Sequence, residues 1–200
     1  MNGVDESEFG DFIKKEGKYF NIVYNGTINF NLNLTLIIRA LGLLKETRHD
    51  IYENTRFLIY GDGPDLQNIL QISKKLKIDN VHYIGRIDFK EMVSKLQEAD
   101  LCILPPIKDI YSDLFYSLKL LEMIYFRIPV IATRLETYQK YYPEGCLFYF
   151  ESGNVKDLTE KIIFVYENID IATQYTKRAY DEYKKYSWDI MEKRFIQIIT

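Results

Sequence analysis

Two short stretches of the chain combine residue types that could hold a phosphorylated ligand. In Ser117-Leu118-Lys119, followed by Glu122, a hydroxyl, an ammonium and a carboxylate fall within about two turns at the start of an apolar helical pattern. Free amides and the positive dipole end favour a phosphate at such a helix start, and Lys119 adds a full charge. Glu122 sits among Leu120, Leu121, Met123 and Ile124, so it interrupts a run that otherwise belongs inside. Burying an unpaired carboxylate is costly, and the vicinal hydroxyls of a ribose would supply it with two donors. The bland alternative is a solvent-facing helix residue. The second stretch, Gly61-Asp62-Gly63-Pro64, lets the backbone approach a ligand just before a helix. Taken alone, it is equally a tight turn with no ligand.

Other chemistries find little support. Cys102 and Cys146 lie far apart inside apolar runs, which predicts buried, reduced thiols and not a disulfide or zinc framework. His49 and His82 have no metal-ligand companions nearby, so no metal site is expected. With 26 basic against 29 acidic residues the formal charge is -3, which gives no global field for nucleic acid. Any phosphate must be held locally. No apolar run approaches the roughly eighteen residues of a membrane span, and the opening MNGVDESEFG is no signal peptide. These features predict a cytoplasmic protein, and the acceptor patterns at Asn25-Gly26-Thr27 and Asn33-Leu34-Thr35 are read as chance. The 17 tyrosines suit half-buried packing positions better than any one function.

For the two stretches to meet, regular elements must carry them to one place. A length of 200 residues, 47% of them hydrophobic and 28% charged, suits one large globular domain. Short β-branched and aromatic runs at Phe20 to Tyr24, Phe57 to Tyr60, Val81 to Ile84, Leu101 to Leu104, Val130 to Ala132 and Cys146 to Phe150 read as six strands. Gly or Pro closes the first four. Between them run helical patterns from Leu34, from Leu66 behind Pro64, behind an Asp88 cap, and from about Ser117 after a loop through Asp113. Three further helices are expected at about 154 to 168, at about 170 to 185, and from Trp188 behind a Ser187 cap. Strands separated by helices pair in parallel through right-handed crossovers. The expected fold is therefore an α/β doubly wound sheet with helices on both faces. Ligands of such sheets bind outside the carboxyl ends of the strands, where the loops after Tyr24, Tyr60, Ile84 and Leu104 share one rim.

In order along the chain, NGVDESEF, a strand ending in Gly26, FLIYGDGP, NVHYIGRID, EADLCILPP, SLKLLEM, IPVIAT and YSWD resemble the nucleotide-binding half of the GT-B glycosyltransferases, specifically the retaining group 1 glycosyl transferases. The resemblance implies one Rossmann-like half of a two-domain enzyme: an interdomain linker over 1–18, the nucleotide-sugar-binding domain over 19–186 and a closing helix over 187–200. It further implies a nucleotide-diphosphate sugar as donor, with the diphosphate against the helix near Ser117 and Leu118, and Lys119 and Glu122 as the residues carrying the chemistry. Glu122 matches the second glutamate of the family's E-x7-E motif, which holds the ribose. Arg86 and Ile87 match the segment that packs on the base, and Gly26, Gly61 and Gly63 match the turns beside the donor. Group 1 enzymes need no metal or other cofactor, because protein positive charge stabilises the leaving diphosphate.

Three departures qualify what the resemblance implies. Eight residues before Glu122 stands Leu114, not the family's first glutamate, although a subgroup carries a lysine three residues before the retained one, as Lys119 does. The loop from Asn29 to Asn33 offers amides where the family usually has Arg or Lys. No acceptor domain precedes the linker, so an N-terminal domain in cis or a separate subunit is expected as partner, with any peripheral membrane contact at the inner face of the cell membrane made through that half. The isolated domain is expected to be inactive. A degenerate partner or regulatory subunit that kept the fold is the alternative. A nicotinamide-dependent dehydrogenase is disfavoured, because no G-x-G-x-x-G follows the first strand, and a sugar-nucleotide epimerase stands only as a fold relative.

Overall fold

The computed structural model describes residues 14–15 and 17–199. The NGVD segment and most of the linker stretch lie outside the described residues. Six strands form one sheet: β1 (Phe20–Asn25), β2 (Thr55–Tyr60), β3 (Val81–Gly85), β4 (Leu101–Leu104), β5 (Val130–Thr133) and β6 (Phe148–Phe150). Every pairing is parallel, in the order β3-β2-β1-β4-β5-β6. The winding direction reverses between β1 and β4, which opens a crevice beyond their carboxyl ends. This is the expected doubly wound, Rossmann-like α/β sheet.

Side-chain alternation along the central strands builds two cores, one per face. Ile22, Tyr24, Phe57, Ile59, Ile103 and Ile131 point to one face. They meet α1 (Thr35–Thr47), α3 (Leu66–Lys75) and α8 (Val155–Glu167) through residues such as Ile37, Leu41, Ile69 and Ile162. Val23, Cys102, Leu104, Val130 and Ala132 point the other way. There they meet α4 (Phe89–Leu96), α6 (Leu118–Tyr125) and α9 (Ile169–Lys184) through Leu96, Leu120, Met123, Ile124 and Tyr183. Both cysteines are buried and free, as their apolar surroundings predicted.

The structure corrects the expected elements at four places. Cys146 does not open β6: its amide bonds the Pro143 carbonyl at 3.1 Å in a turn, and the ladder begins at Phe148. The loop after β4 contains α5 (Ile110–Leu114), started by a capping box in which Asp109 and Ser112 bond each other's backbone amides at 2.7 and 2.8 Å. Two further six-residue helices, α2 (His49–Asn54) and α7 (Glu136–Tyr141), are too short to show a helical period. The last helix, α10 (Trp188–Ile199), follows the Ser187 turn. Tyr186 packs edge-on against Tyr141, with ring centroids 5.1 Å apart, while Trp188 on α10 is half exposed.

Ile37 lies fully buried on α1, which packs against α8, whereas Ile110 on α5 is 86% exposed. Ile37→Ala is therefore expected to lower unfolding free energy by about 2–5 kcal/mol in urea titration. Ile110→Ala is expected to change it by less than about 0.5 kcal/mol. Similar costs at the two positions would contradict this assignment of the core.

Candidate functional site

Backbone contacts lock three loops together at the carboxyl ends of β1, β2 and β3. The Gly26 amide donates to the Tyr60 carbonyl at 2.9 Å, the Ile28 amide to Asp62 at 2.9 Å, and the Gly61 amide to Gly85 at 2.8 Å. The Asp65 amide, at the start of α3, returns to the Ile28 carbonyl at 3.1 Å. Gly26 and Gly61 hold φ of +120° and +128°, a region open to glycine. A Cβ at Gly61 would collide with the Gly26 carbonyl, one at Gly63 with the Ile28 backbone, and one at Gly26 with Cε of Lys119. The glycines of the GDGP turn thus have a packing reason of their own.

This rim borders an open cavity of about 590 Å³, within the range of small-molecule sites. Of the residues singled out from the sequence, Gly26, Gly61, Arg86, Ile87, Leu118, Lys119 and Glu122 line it. Gly63 does not; it faces Ile28. Ser117 lies on a smaller neighbouring cavity, where its hydroxyl turns to that of Tyr138. Ser117 occupies the N-cap position of α6 without a side-chain cap bond, which leaves first-turn amides for another acceptor. Sequence reasoning missed Asn25 and Met92, both on the cavity wall, and gave Asp62 no role beyond its place in the GDGP turn. The signal for Asn25 was a polar residue closing an apolar strand just before a glycine.

Two charges on α6 are held in unfavourable surroundings. Burial raises the Glu122 carboxyl above the usual carboxylate range, opposed by a 3.5 Å hydrogen bond from the Asn25 amide nitrogen and by the field of Lys119. Burial likewise lowers the Lys119 ammonium, opposed by the field of Glu122. The Lys119 stem lies over Gly26, and its Nζ stands 5.8 Å from the Tyr24 ring centroid. Below it, the Cys102 thiol is pushed up to about 12 by burial and stays protonated. At the mouth, Arg86 is 80% exposed, with its Nε 3.7 Å from the Asp62 carboxylate. An anion reaching Lys119 and a donor pair reaching Glu122 would relieve both buried charges at once.

The departures noted in the sequence also have places in the structure. Leu114 ends α5 with its side chain 79% exposed. The neighbouring Asp113 carboxylate cannot stand in for a glutamate there, because it accepts the Glu136 amide at 2.9 Å and lies 3.7 Å from Lys108. Asn31 serves the loop through its carbonyl, which accepts the Ile107 amide at 3.1 Å. Among the described residues, no three His, Cys, Asp or Glu side chains group as metal ligands, and no helix is long and apolar enough to cross a membrane.

The model of the family described as glycosyl transferases group 1 matches residues 5–182. No curated protein sequence matches the chain significantly. Among solved structures, the C-terminal domain of LpcC, a glycosyl transferase group 1 family protein from Francisella tularensis, is similar with a TM-score of 0.73 at 18% identity, over 93% of this chain and 100% of that one. The catalytic domain of cholesterol-alpha-glucosyltransferase from Helicobacter pylori gives 0.69 at 20%, over 84% and 99%. Anabaena HepE in complex with UDP gives 0.78 at 12%, over 91% of this chain and 49% of that one. The chain thus spans the two isolated domains almost completely and about half of the longer protein. At these identities the likeness establishes the fold.

Since the folded-state pKa of Glu122 lies above its unfolded value, its contribution to stability is fully present below the unfolded pKa and is lost as pH rises through the folded one. Glu122→Gln is therefore expected to melt at or above the wild-type temperature at pH 7, with the gain vanishing near pH 4. A variant clearly less stable at pH 7 would show that the carboxylate is satisfied within the fold. At the rim, Gly61→Ala is expected to cost about 2 kcal/mol or more, or roughly 4–8 °C in melting temperature. A neutral effect would deny the close contact of the two loops.

Proposed function

The chain belongs to the group 1 glycosyl transferases, and on that premise we propose that it is the donor-binding domain of a retaining enzyme that moves a sugar from a nucleotide sugar to a glycan or lipid-linked acceptor. The observation that carries this reading is the placement of Lys119 and Glu122, both desolvated, on one wall of a nucleotide-sized cavity at the strand-order reversal. In this reading Glu122 accepts hydrogen bonds from the ribose 2′- and 3′-hydroxyls. Lys119 and the first-turn amides of α6 hold the diphosphate. Ile87, packed on the core below the cavity, and the stem of Arg86 form the bed for the base. The UDP held by Anabaena HepE supports the choice of ligand class.

Transfer breaks the bond between the anomeric carbon and the diphosphate oxygen, makes one to the acceptor oxygen on the same face of the sugar, and passes the acceptor's hydroxyl proton to the departing diphosphate. Negative charge grows on the departing diphosphate, and the Lys119 ammonium at the α6 N-terminus is positioned to stabilise it without a metal. The acceptor hydroxyl must be held against the anomeric carbon on the face the diphosphate leaves, a task of orientation that this domain leaves to a second domain or subunit. One observation favours a second reading, a nucleotide-binding partner without transferase chemistry: the exposed Leu114 stands where the family's first glutamate would attend the sugar.

Thermal denaturation with UDP, GDP, ADP and CMP, each at about 1 mM and with EDTA present, tests the donor site. A ligand at ten times its dissociation constant adds about 1.4 kcal/mol, or roughly 3–6 °C for a domain of this size. One nucleotide is expected to give this shift, with Glu122→Ala abolishing it and Lys119→Gln cutting affinity about tenfold or more. No shift with any nucleotide, or affinity unchanged in both variants, would remove the assignment. Turnover by the domain joined to its acceptor half would exclude the second reading.

A further inference from the structure

Beside the nucleotide cavity, with Lys119 in the wall common to both, lies a more enclosed space of about 40 Å³. Since a water occupies roughly 10–15 Å³ on this measure, the space accepts a methyl or acetyl group and excludes a sugar ring. Its walls are mainly Leu32, Leu104, Pro105, Phe115, Leu135 and the ring of Tyr138. The hydroxyls that reach it already have partners. Ser112 is held in the Asp109 capping box, Ser117 turns to Tyr138, and the Tyr24 hydroxyl donates to the Thr27 carbonyl at 2.5 Å. Among the described residues, no carboxylate lines it, and only the Lys119 ammonium, at the boundary with the larger cavity, carries charge.

We propose that this space is a specificity pocket for a methyl group on the transferred sugar, borne either by a 6-deoxy carbon or by an N-acetyl substituent. The inference rests on the donor-binding reading, which places the diphosphate at Lys119 and so brings the attached sugar to this side of the lysine. A hydroxymethyl group would fit by size but would bring a hydroxyl into a mainly apolar space whose own hydroxyls already have partners and whose one ammonium is taken by the diphosphate. Such an unpaired hydroxyl is disfavoured, whereas a methyl fills the space with apolar contact. The pocket therefore discriminates by the absence of a partner, in a chain whose position 114 is leucine.

Titration calorimetry with matched donors tests this. The pairs are UDP-glucose against UDP-6-deoxyglucose, UDP-glucose against UDP-N-acetylglucosamine, and GDP-mannose against GDP-6-deoxymannose, with bare UDP and GDP as references. One methyl-bearing donor is expected to bind about ten- to a hundredfold more tightly than its hydroxyl-bearing parent, and the pair that shows the preference identifies the source of the methyl. Phe115 is half exposed at the pocket, so Phe115→Trp narrows it without disturbing the core. That variant is expected to reduce the preference to below about threefold while leaving affinity for the bare nucleoside diphosphate unchanged. Equal affinities within every pair, with UDP or GDP bound normally, would overturn this pocket alone. Binding of none of UDP, GDP, ADP and CMP would overturn the donor reading and this inference with it.

Discussion

The carbonyl of Gly26 occupies the space that a Cβ at Gly61 would need, and the layout of the rim follows from that contact. With the backbones this close, the loops after β1 and β2 share hydrogen bonds at both of their ends. The loop after β3 joins through Gly85. Three loops that would otherwise move independently become a rigid lip, and rigid support is what a binding site on loops requires. The same closeness lays Lys119 across Gly26, so the lysine is placed by the lip as much as by its own helix.

Energetically, the site is a place where the fold tolerates cost. Lys119 and Glu122 are each shifted toward their neutral forms by burial, in opposite senses, and each partly supports the charge of the other. Natural proteins concentrate such perturbed groups at functional positions, because a ligand that completes them gains what the empty site lacks. The aliphatic neighbours that make Glu122 costly are the second core itself: Leu120, Leu121, Met123 and Ile124 anchor α6 against β4 and β5 and fix the direction in which the two charges point.

Much of this architecture was legible in the sequence, for identifiable reasons. The strands announce themselves because apolar runs such as FNIVY and LCIL end at Gly or Pro, where a parallel strand must give way to a loop. The odd placement of Glu122 within an apolar helical stretch was visible for the same reason. The short helices α2, α5 and α7 were not, since five or six residues carry no period, and the Asp109–Ser112 box that starts α5 reads equally as a turn. Gly63 and Ser117 were legible as special positions but not in orientation: only the fold turns one to Ile28 and the other to Tyr138. Asn25 escaped notice because its role depends on α4 and α6, which lie 67 and 97 residues away at Met92 and Glu122.

The central claim is that one ligand neutralises Lys119 and satisfies Glu122 together, and a crystal structure of the chain with its preferred nucleoside diphosphate tests it most directly. The account predicts both ribose hydroxyls within about 2.6–3.2 Å of the Glu122 carboxylate and a phosphate oxygen at a similar distance from Lys119 Nζ. A nucleotide bound elsewhere on the molecule, or seated in the cavity with its ribose turned away from Glu122, would contradict it.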